Sequence, residues 1–159
     1  FANEVDACMY MGCEKDAEGN IHGWSEYTQK EWLEKSIFSL KQDARMLDKY
    51  IAQLGTKKYV ELLKKHNVDP HSIDWLLPHI SSEYFRSKVD DEMKKYGVQL
   101  PQEKWFTNLT KVGNMGSASI FIALEELLNS GKLKKGQKVM LTVPESARFS
   151  YANALLTVV

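Results

Sequence analysis

Apolar residues recur every three or four positions along several stretches of this chain, which is the spacing of an amphipathic helix. The first stretch begins at Ser39 and carries the stripe Leu40, Ala44, Leu47, Ile51 and Leu54. Gly55 is predicted to end or bend this helix, and Thr56 to cap a second helix that continues to Asn67. The long stretch is therefore interpreted as two helical segments that meet at Gly55.

Two further helices follow from the same spacing. One has the apolar stripe Phe85, Val89, Met93 and Tyr96, with Ser81 or Ser82 as its N-cap and Gly97 as its stop signal. The other begins near Gly116 and runs to the pair Ser130 and Gly131, with Ile120, Ala123, Leu124, Leu127 and Leu128 on its apolar face. Both are typical of helices that cover one face of a sheet.

Short apolar runs between these helices predict strands. A buried strand is expected at residues 73–77, another at 105–107, a third at 138–143 and a last one at 149–159. The resulting order is helix, strand, helix, strand, helix, strand, strand. This order predicts an α/β fold in which helices pack against a mixed sheet and the last two strands are antiparallel.

The first 36 residues carry no clean period. We interpret residues 1–36 as a loop-rich segment with a turn at residues 16–20 and a short hairpin or helix, and residues 37–159 as the main domain. Because the chain starts with Phe1 and lacks an initiating Met, we expect it to be cut from the middle of a longer protein.

Charge and composition exclude several classes of protein. Lys plus Arg and Asp plus Glu number 21 each, so the formal net charge is zero and neither nucleic acid nor an anionic membrane is an expected partner. No apolar run approaches the roughly 18 residues of a membrane span. Cys8 and Cys13 fit neither a disulfide framework nor a dithiol redox motif, which favours reduced thiols and a cytoplasmic protein.

Two polar residues stand where chemistry is expected. His79 follows the apolar run that ends in Leu77 and Pro78, and Asn114 lies in a glycine-flanked loop just before a helix. A neutral imidazole and a carboxamide are hydrogen-bond donors of the kind that holds a developing oxyanion. Neither is a nucleophile, so the chain is expected to carry only part of a catalytic apparatus.

Three segments resemble the β-ketoacyl-acyl-carrier-protein synthase III family. Asp74-Trp75-Leu76-Leu77-Pro78-His79 looks like the family's histidine segment, and Gly113-Asn114-Met115-Gly116-Ser117-Ala118-Ser119 looks like its asparagine segment. Residues 130–141 are similar to the turn and strand that follow. The resemblance covers roughly residues 60–159 and implies the C-terminal half of a thiolase-like fold.

The resemblance also implies a reaction and its participants. His79 and Asn114 match the family's catalytic histidine and asparagine, while the nucleophilic cysteine lies outside this chain. The expected substrates are an acyl-coenzyme A and malonyl-acyl-carrier protein, without a further cofactor or metal. The expected partners are acyl carrier protein and a second copy of the enzyme in a homodimer. We expect the isolated chain to be inactive.

The chain departs from the family pattern at two places. Ile80-Ser81-Ser82 follows His79 where the family often has Gln-Ala-Asn. Residues 144–150 replace a glycine-rich loop that supplies a backbone donor in the family, which makes Ser146, Ala147 and Arg148 candidates for a substrate or oxyanion loop. These departures favour a specialised lipid or polyketide-like pathway.

Other interpretations of the same residues are weaker. Gly113 and Gly116 at a helix start are compatible with a phosphate cradle, although their spacing fits no nucleotide motif. Cys8, Cys13 and His22 lack the fourth ligand and paired spacing of a zinc site. A second function, from a different class, is a non-catalytic dimerisation or acyl-carrier-protein docking module, with Lys132, Lys134 and Lys135 as its basic surface.

Overall fold

The computed structural model of this protein describes residues 5–159. Its helices are α1 (Gln29–Glu34), α2 (Ala44–Lys65), α3 (Tyr84–Lys95), α4 (Leu109–Val112) and α5 (Ser119–Asn129). Its strands are β1 (Met9–Tyr10), β2 (Cys13–Lys15), β3 (Ile21–Gly23), β4 (Lys41–Gln42), β5 (Trp75–Pro78), β6 (Lys138–Glu145) and β7 (Ser150–Thr157). No helix within residues 5–159 has the length and hydropathy that crossing a bilayer requires.

Strands β5, β6 and β7 form the main sheet in that spatial order. β5 runs parallel to β6, with Leu76 opposite Met140, and β6 runs antiparallel to β7, with Met140 opposite Leu155. The α/β class, the mixed sheet and the antiparallel final pair are therefore confirmed. A connection between parallel strands needs a crossover, and here α3, α4 and α5 supply it between β5 and β6.

Helices cover both faces of this sheet. Leu76 and Met140 belong to a buried cluster with residues of α2 and α3, whereas Leu77 and Val139 belong to a second cluster with α5. Successive residues of a strand point to opposite faces of the sheet. Neighbouring residues of β5, and likewise of β6, therefore belong to different clusters. The result is a three-layer arrangement in which the ends of β5 and β6 lie between the helical layers.

The prediction that the first helix ends at Gly55, with Thr56 capping a second one, is wrong. α2 is one continuous helix of 22 residues, capped by the Asp43 side chain, which accepts a hydrogen bond from the Met46 N–H at 2.9 Å. The helix also starts at Ala44, later than the predicted Ser39, because Lys41 and Gln42 pair with β1. Gly55 has a packing role instead: a Cβ built there would lie 2.8 Å from Cε1 of Tyr151.

We expect Gly55→Ala to destabilise the protein. In an open helix this substitution stabilises by about 0.5–1 kcal/mol. Here the Tyr151 hydroxyl donates a hydrogen bond to the Ile51 carbonyl at 3.0 Å, so the ring cannot retreat without losing that bond. Overpacking of this kind costs about 1–3 kcal/mol, measurable by urea unfolding.

The control for this prediction is the same substitution in a Tyr151→Ala background. With the ring removed, Gly55→Ala should recover its ordinary stabilising effect. If Gly55→Ala alone unfolded at higher urea than the parent, the close contact with the Tyr151 ring would not be destabilising.

Three other expectations about elements need correction or refinement. The strand predicted at residues 105–107 does not form, and Trp105 makes only an isolated bridge to Leu76, because a 3₁₀ turn at Gln102–Lys104 leads directly into it. The helix predicted from Gly116 is present as a 3₁₀ turn, Gly116–Ala118, followed by α5. The prediction that Ser81 or Ser82 caps α3 is wrong: its N-cap is Glu83, which makes no side-chain capping bond, although the Ser82 hydroxyl accepts the Tyr84 N–H at 3.3 Å.

The N-terminal segment contains both of the alternatives expected for it. β2 and β3 form a hairpin, and α1 follows with Thr28 as its capping residue. β1 pairs with β4, and the Cys8 N–H donates to the Ala147 carbonyl at 2.7 Å, which ties this segment to the turn between β6 and β7. The proposed division at residue 36 stays a prediction, although these contacts cross it.

Candidate active site

His79 is positioned by the main sheet. It follows the last residue of β5, and its main-chain N–H donates to the Thr142 carbonyl of β6 at 2.8 Å, which extends the parallel ladder by one bond. Its side chain is partly buried, and this burial lowers the pKa of the imidazole below its usual value. The ring is therefore neutral at physiological pH, with one nitrogen available as a donor.

Asn114 is positioned by the loop that joins α4 to α5. Its side-chain oxygen accepts the Gly116 N–H at 3.0 Å, and Gly116 has a φ of 60°, a conformation that favours glycine. The N–H of Met115, which lies between Asn114 and Gly116, donates to the Ser119 hydroxyl at 2.9 Å. Asn114 is exposed, and because its amide oxygen is engaged inside the loop, the NH₂ group is the part of its side chain that can donate to a ligand.

Both side chains line one cavity of about 390 Å³, a size within the range of small-molecule sites. β5 and β6 bring His79 to the cavity, and the start of α5 brings Asn114. α2 and α3 contribute an apolar wall, which includes Leu47, Ile51, Phe85, Val89 and Met93. Two donors predicted from separate loops thus share a common space with an apolar interior.

The loop predicted to replace the glycine-rich segment contributes unequally. Ser146 lines the cavity and its hydroxyl donates to the Met9 sulfur at 2.8 Å. Ala147 and Arg148 are not among the lining residues, and their main-chain N–H groups donate to the Glu145 carboxylate. Of the three candidates, Ser146 alone faces the same space as His79 and Asn114.

The phosphate-cradle and zinc-site interpretations find no support in this geometry. The Gly116 N–H is taken by Asn114 and the Gly113 N–H by the Leu109 carbonyl, so these two amides are not available to cradle a phosphate. Both nitrogens of His22 bond to carboxylates, those of Asp16 and Glu26, rather than facing a cysteine. Within residues 5–159 no group of His, Cys, Asp and Glu is arranged to hold a metal ion.

Comparison with known sequences identifies the family. The profile of the 3-oxoacyl-[acyl-carrier-protein] synthase III C-terminal domain matches residues 63–157. The chain belongs to the 3-oxoacyl-[acyl-carrier-protein] synthase III family. It is 34% identical over 112 residues to a β-ketoacyl-[acyl-carrier-protein] synthase III of Clostridium perfringens, covering 70% of this chain and 33% of that protein. The chain therefore spans about a third of the length of the curated relative.

Solved structures agree on the fold. A synthase III from Thermus thermophilus superposes with a TM-score of 0.67 at 23% identity, covering 94% of this chain and 41% of that one. A tetronic acid condensing enzyme superposes with a TM-score of 0.70 at 15% identity, covering 99% of this chain and 42% of that one. The fold is thus that of the C-terminal half of a thiolase-like synthase, as the resemblance implied.

The sequence did not reveal every side chain that lines the synthase-like cavity. Thr142 and Asn153 face it from opposite positions of the β6–β7 ladder, and Thr56 and Tyr59 face it from α2. For the residues on α2, the signal in the sequence was Gly55. A glycine inside a helical stripe indicates either a break in the helix or the close approach of another part of the chain. Only the close approach of the Tyr151 ring to Gly55, about 100 positions away, distinguishes a break from a close approach.

We expect the two histidines with shifted pKa values to titrate on opposite sides of pH 6.5. Burial lowers the pKa of His79, whereas hydrogen bonds to Glu26 and then to Asp16 raise the pKa of His22. The measurement is an NMR titration of the imidazole protons in the purified chain, assigned with His79→Gln and His22→Gln variants.

The same shifts have opposite effects on stability. His22 stabilises the fold below pH 6.5, and this contribution is lost as pH rises through its raised pKa. His79 lowers stability as pH falls below 6.5, because the unfolded chain takes up the proton more readily. If His79 titrated above His22, the neutral donor assigned to the cavity would be incorrect.

Proposed function

We propose that this chain is the C-terminal catalytic part of an acyltransferase that joins an acyl group to the two-carbon unit of malonyl-acyl-carrier protein. His79 and Asn114 are its donors to the enolate, and Ser146 lines the same site. The nucleophilic cysteine is contributed by polypeptide outside this chain. The observation that carries the proposal is the shared cavity, which holds both donors beside an apolar wall suited to an acyl chain.

The reaction proceeds in two stages. A cysteine thiolate first attacks a thioester such as acyl-coenzyme A and takes its acyl group, while coenzyme A leaves as its thiolate; this divides one difficult step into two. Malonyl-acyl-carrier protein then loses carbon dioxide, and the electrons of the broken carbon–carbon bond form an enolate. The enolate carbon attacks the acyl-cysteine carbonyl, a new carbon–carbon bond forms, and the cysteine thiolate leaves.

His79 and Asn114 act when the enolate forms. Negative charge then builds up on the thioester oxygen, and an imidazole N–H and an amide N–H meet it. One such donor contributes about 3–4 kcal/mol to lowering the barrier in a site that excludes water. Burial lowers the pKa of His79, so the ring donates this hydrogen bond as a neutral imidazole.

We expect the 159-residue chain by itself to form no condensation product. It lacks the nucleophile on which the acyl group is carried, although it retains both donors. The assay combines an acyl-coenzyme A with radiolabelled malonyl-acyl-carrier protein and measures labelled product. The complete synthase serves as the positive control, and its His79→Ala variant as the negative one.

Product made by the isolated chain would contradict the assignment of the nucleophile to another segment. A pull-down separates this function from the alternative docking module. If Lys134→Glu abolished binding to acyl carrier protein while His79→Ala left the activity of the complete synthase unchanged, the chain would be a docking module and not a catalytic half.

A further inference from the structure

The parallel ladder between β5 and β6 ends at His79. The register of β5 and β6 stops with Pro78 opposite Thr142, whereas β6 and β7 stay paired as far as Glu145 opposite Ser150. The His79 N–H still donates to the Thr142 carbonyl at 2.8 Å. One edge of β6 is therefore paired to its end, and the opposite edge parts from β5 at the residue that carries the imidazole of the site.

The directions of the backbone groups show which bond comes next in this ladder. The Leu76 carbonyl accepts the Phe106 N–H at 2.9 Å, so the backbone groups of Leu76 face away from β6 and those of the alternate residues Leu77 and His79 face it. In a parallel ladder, a residue that donates to one carbonyl of the neighbouring strand accepts from the N–H two positions further along that strand. Because His79 donates to Thr142, the next donor is the N–H of position 144.

Position 144 is a proline, and proline has no N–H to donate. The bond from residue 144 to the His79 carbonyl, which would extend the ladder by one step, therefore cannot form. Prolines within sheets are confined to places where their nitrogen faces an unpaired edge, and Pro144 meets this condition because its nitrogen lies on the edge that β5 has left. Pro144 thus determines where the ladder ends.

The cavity occupies the space that a longer ladder would close. Ile80 and Ser81 line it from the chain that leaves β5, and Pro144 and Ser146 line it from β6 and the turn that follows. Paired strands lie about 4.8 Å apart, which leaves no room for a ligand between their backbones. The separation of these two chains beyond His79 therefore contributes to the opening of the cavity.

We propose that Pro144 is a positioning residue for the condensation: by withholding an N–H from the His79 carbonyl, it ends the ladder at His79, keeps the residues that follow apart from β6, and holds the imidazole at an open cavity. Pro144 acts through His79 and does not donate to the enolate. This inference rests on the proposed function, since it takes His79 to be a donor to the enolate. It goes beyond that function by assigning a role to a residue that controls the surroundings of the donor.

The test separates the missing N–H from the proline ring. Pro144→Ala supplies the N–H and removes the ring. A matched variant carries the same methyl side chain but has an ester in place of the amide between residues 143 and 144, made by incorporating lactic acid, so it lacks both the ring and the N–H. Pro144→Val supplies the N–H and keeps more of the bulk of proline, which checks that the result does not depend on side-chain size.

Hydrogen exchange of the purified chain, followed by NMR, should show a protected amide at position 144 in Pro144→Ala and Pro144→Val. In the complete synthase, both variants should decarboxylate malonyl-acyl-carrier protein about 10²-fold more slowly than the parent, the loss that a displacement of about 1 Å causes at a reacting centre. The ester variant should keep a rate close to that of the parent. Pro101→Ala should keep it as well, because Pro101 is exposed, precedes a 3₁₀ turn and lies outside the cavity lining.

An unprotected amide at position 144 in Pro144→Ala overturns the inference, because no further ladder bond would then form. Equal losses of rate in the alanine and ester variants, or failure of both to fold, also overturn it, since the ring and not the missing N–H would be responsible. A protected amide with an unchanged rate overturns it as well. All of these results leave the proposed function standing. The proposed function fails separately if His79→Ala decarboxylates at the parent rate, a result that does not affect the exchange measurement.

Discussion

In the complete synthase, alanine at His79 or at Asn114 is expected to lower the rate of malonyl-acyl-carrier-protein decarboxylation by about 10²–10³-fold for each substitution. Under the proposed function, each change removes one donor to the enolate oxygen and leaves the apolar wall proposed to hold the acyl group untouched. Loading of the nucleophile from acyl-coenzyme A should therefore continue at close to the parent rate.

Separate assays distinguish the two stages. Trapping of labelled acyl-enzyme measures loading, and release of labelled carbon dioxide measures decarboxylation. His66→Ala is a suitable control because His66 is exposed, at the C-terminal end of α2 and outside the cavity lining. If a substitution lowered the loading rate as much as the decarboxylation rate, His79 and Asn114 would maintain the fold of the site and would not stabilise the enolate.

The second large effect is expected at Phe149. Its side chain is 0% exposed although it lies in the turn between β6 and β7, and it belongs to a buried cluster with Cys8, Leu47 and Leu54. Its ring meets that of Tyr50 edge to face, with centroids 6.0 Å apart. Phe149→Ala removes the ring and leaves a cavity, which costs about 3–5 kcal/mol of unfolding free energy.

Phe121 provides the matched control for Phe149. It lies on α5 and is 69% exposed, so Phe121→Ala should change the unfolding free energy by no more than about 0.5 kcal/mol. Phe149 also has a φ of 53°, a strained value for a residue with a side chain. Phe149→Gly should therefore unfold at higher urea than Phe149→Ala. Equal midpoints for the alanine variants of Phe149 and Phe121 would contradict this account of the turn.

The turn held by Phe149 matters for the site because it carries Ser146. The Cys8 N–H bonds the Ala147 carbonyl, and the Ser146 hydroxyl bonds the Met9 sulfur, so the N-terminal segment and the turn support one another. This arrangement connects the residues that the sequence described least well to the cavity wall. It depends on contacts between positions more than 130 residues apart, which no local pattern can indicate.

Local patterns were informative where burial follows a simple period. The stripes of α3 and α5 and the apolar runs of β5 and β6 predicted their elements, because each helix packs one face against the sheet and each strand is buried on both faces between helical layers. α2 was divided at Gly55 because helix propensity is a local property, whereas the need for glycine there is set by the Tyr151 ring. Trp105 lies in a short apolar run, which is typical of a strand. It is apolar because its side chain is buried, and its backbone makes only an isolated bridge to Leu76.

The candidate site was found by resemblance rather than by periodicity. Pro78-His79 and Gly113-Asn114 are common dipeptides. Each indicates the family only together with the other matching segments, in the same order along the chain. The structure adds that β5 and the α4–α5 loop bring both side chains to one cavity.

The most direct test of the central claim is the double variant His79→Ala with Asn114→Ala in the complete synthase. Two donors that hold the same oxyanion act as a unit, so their losses should not multiply. We expect the double variant to lose about 10³-fold in decarboxylation rate, close to the worse single variant. A loss of about 10⁴–10⁶-fold, the product of the two single effects, would show that His79 and Asn114 act at separate points.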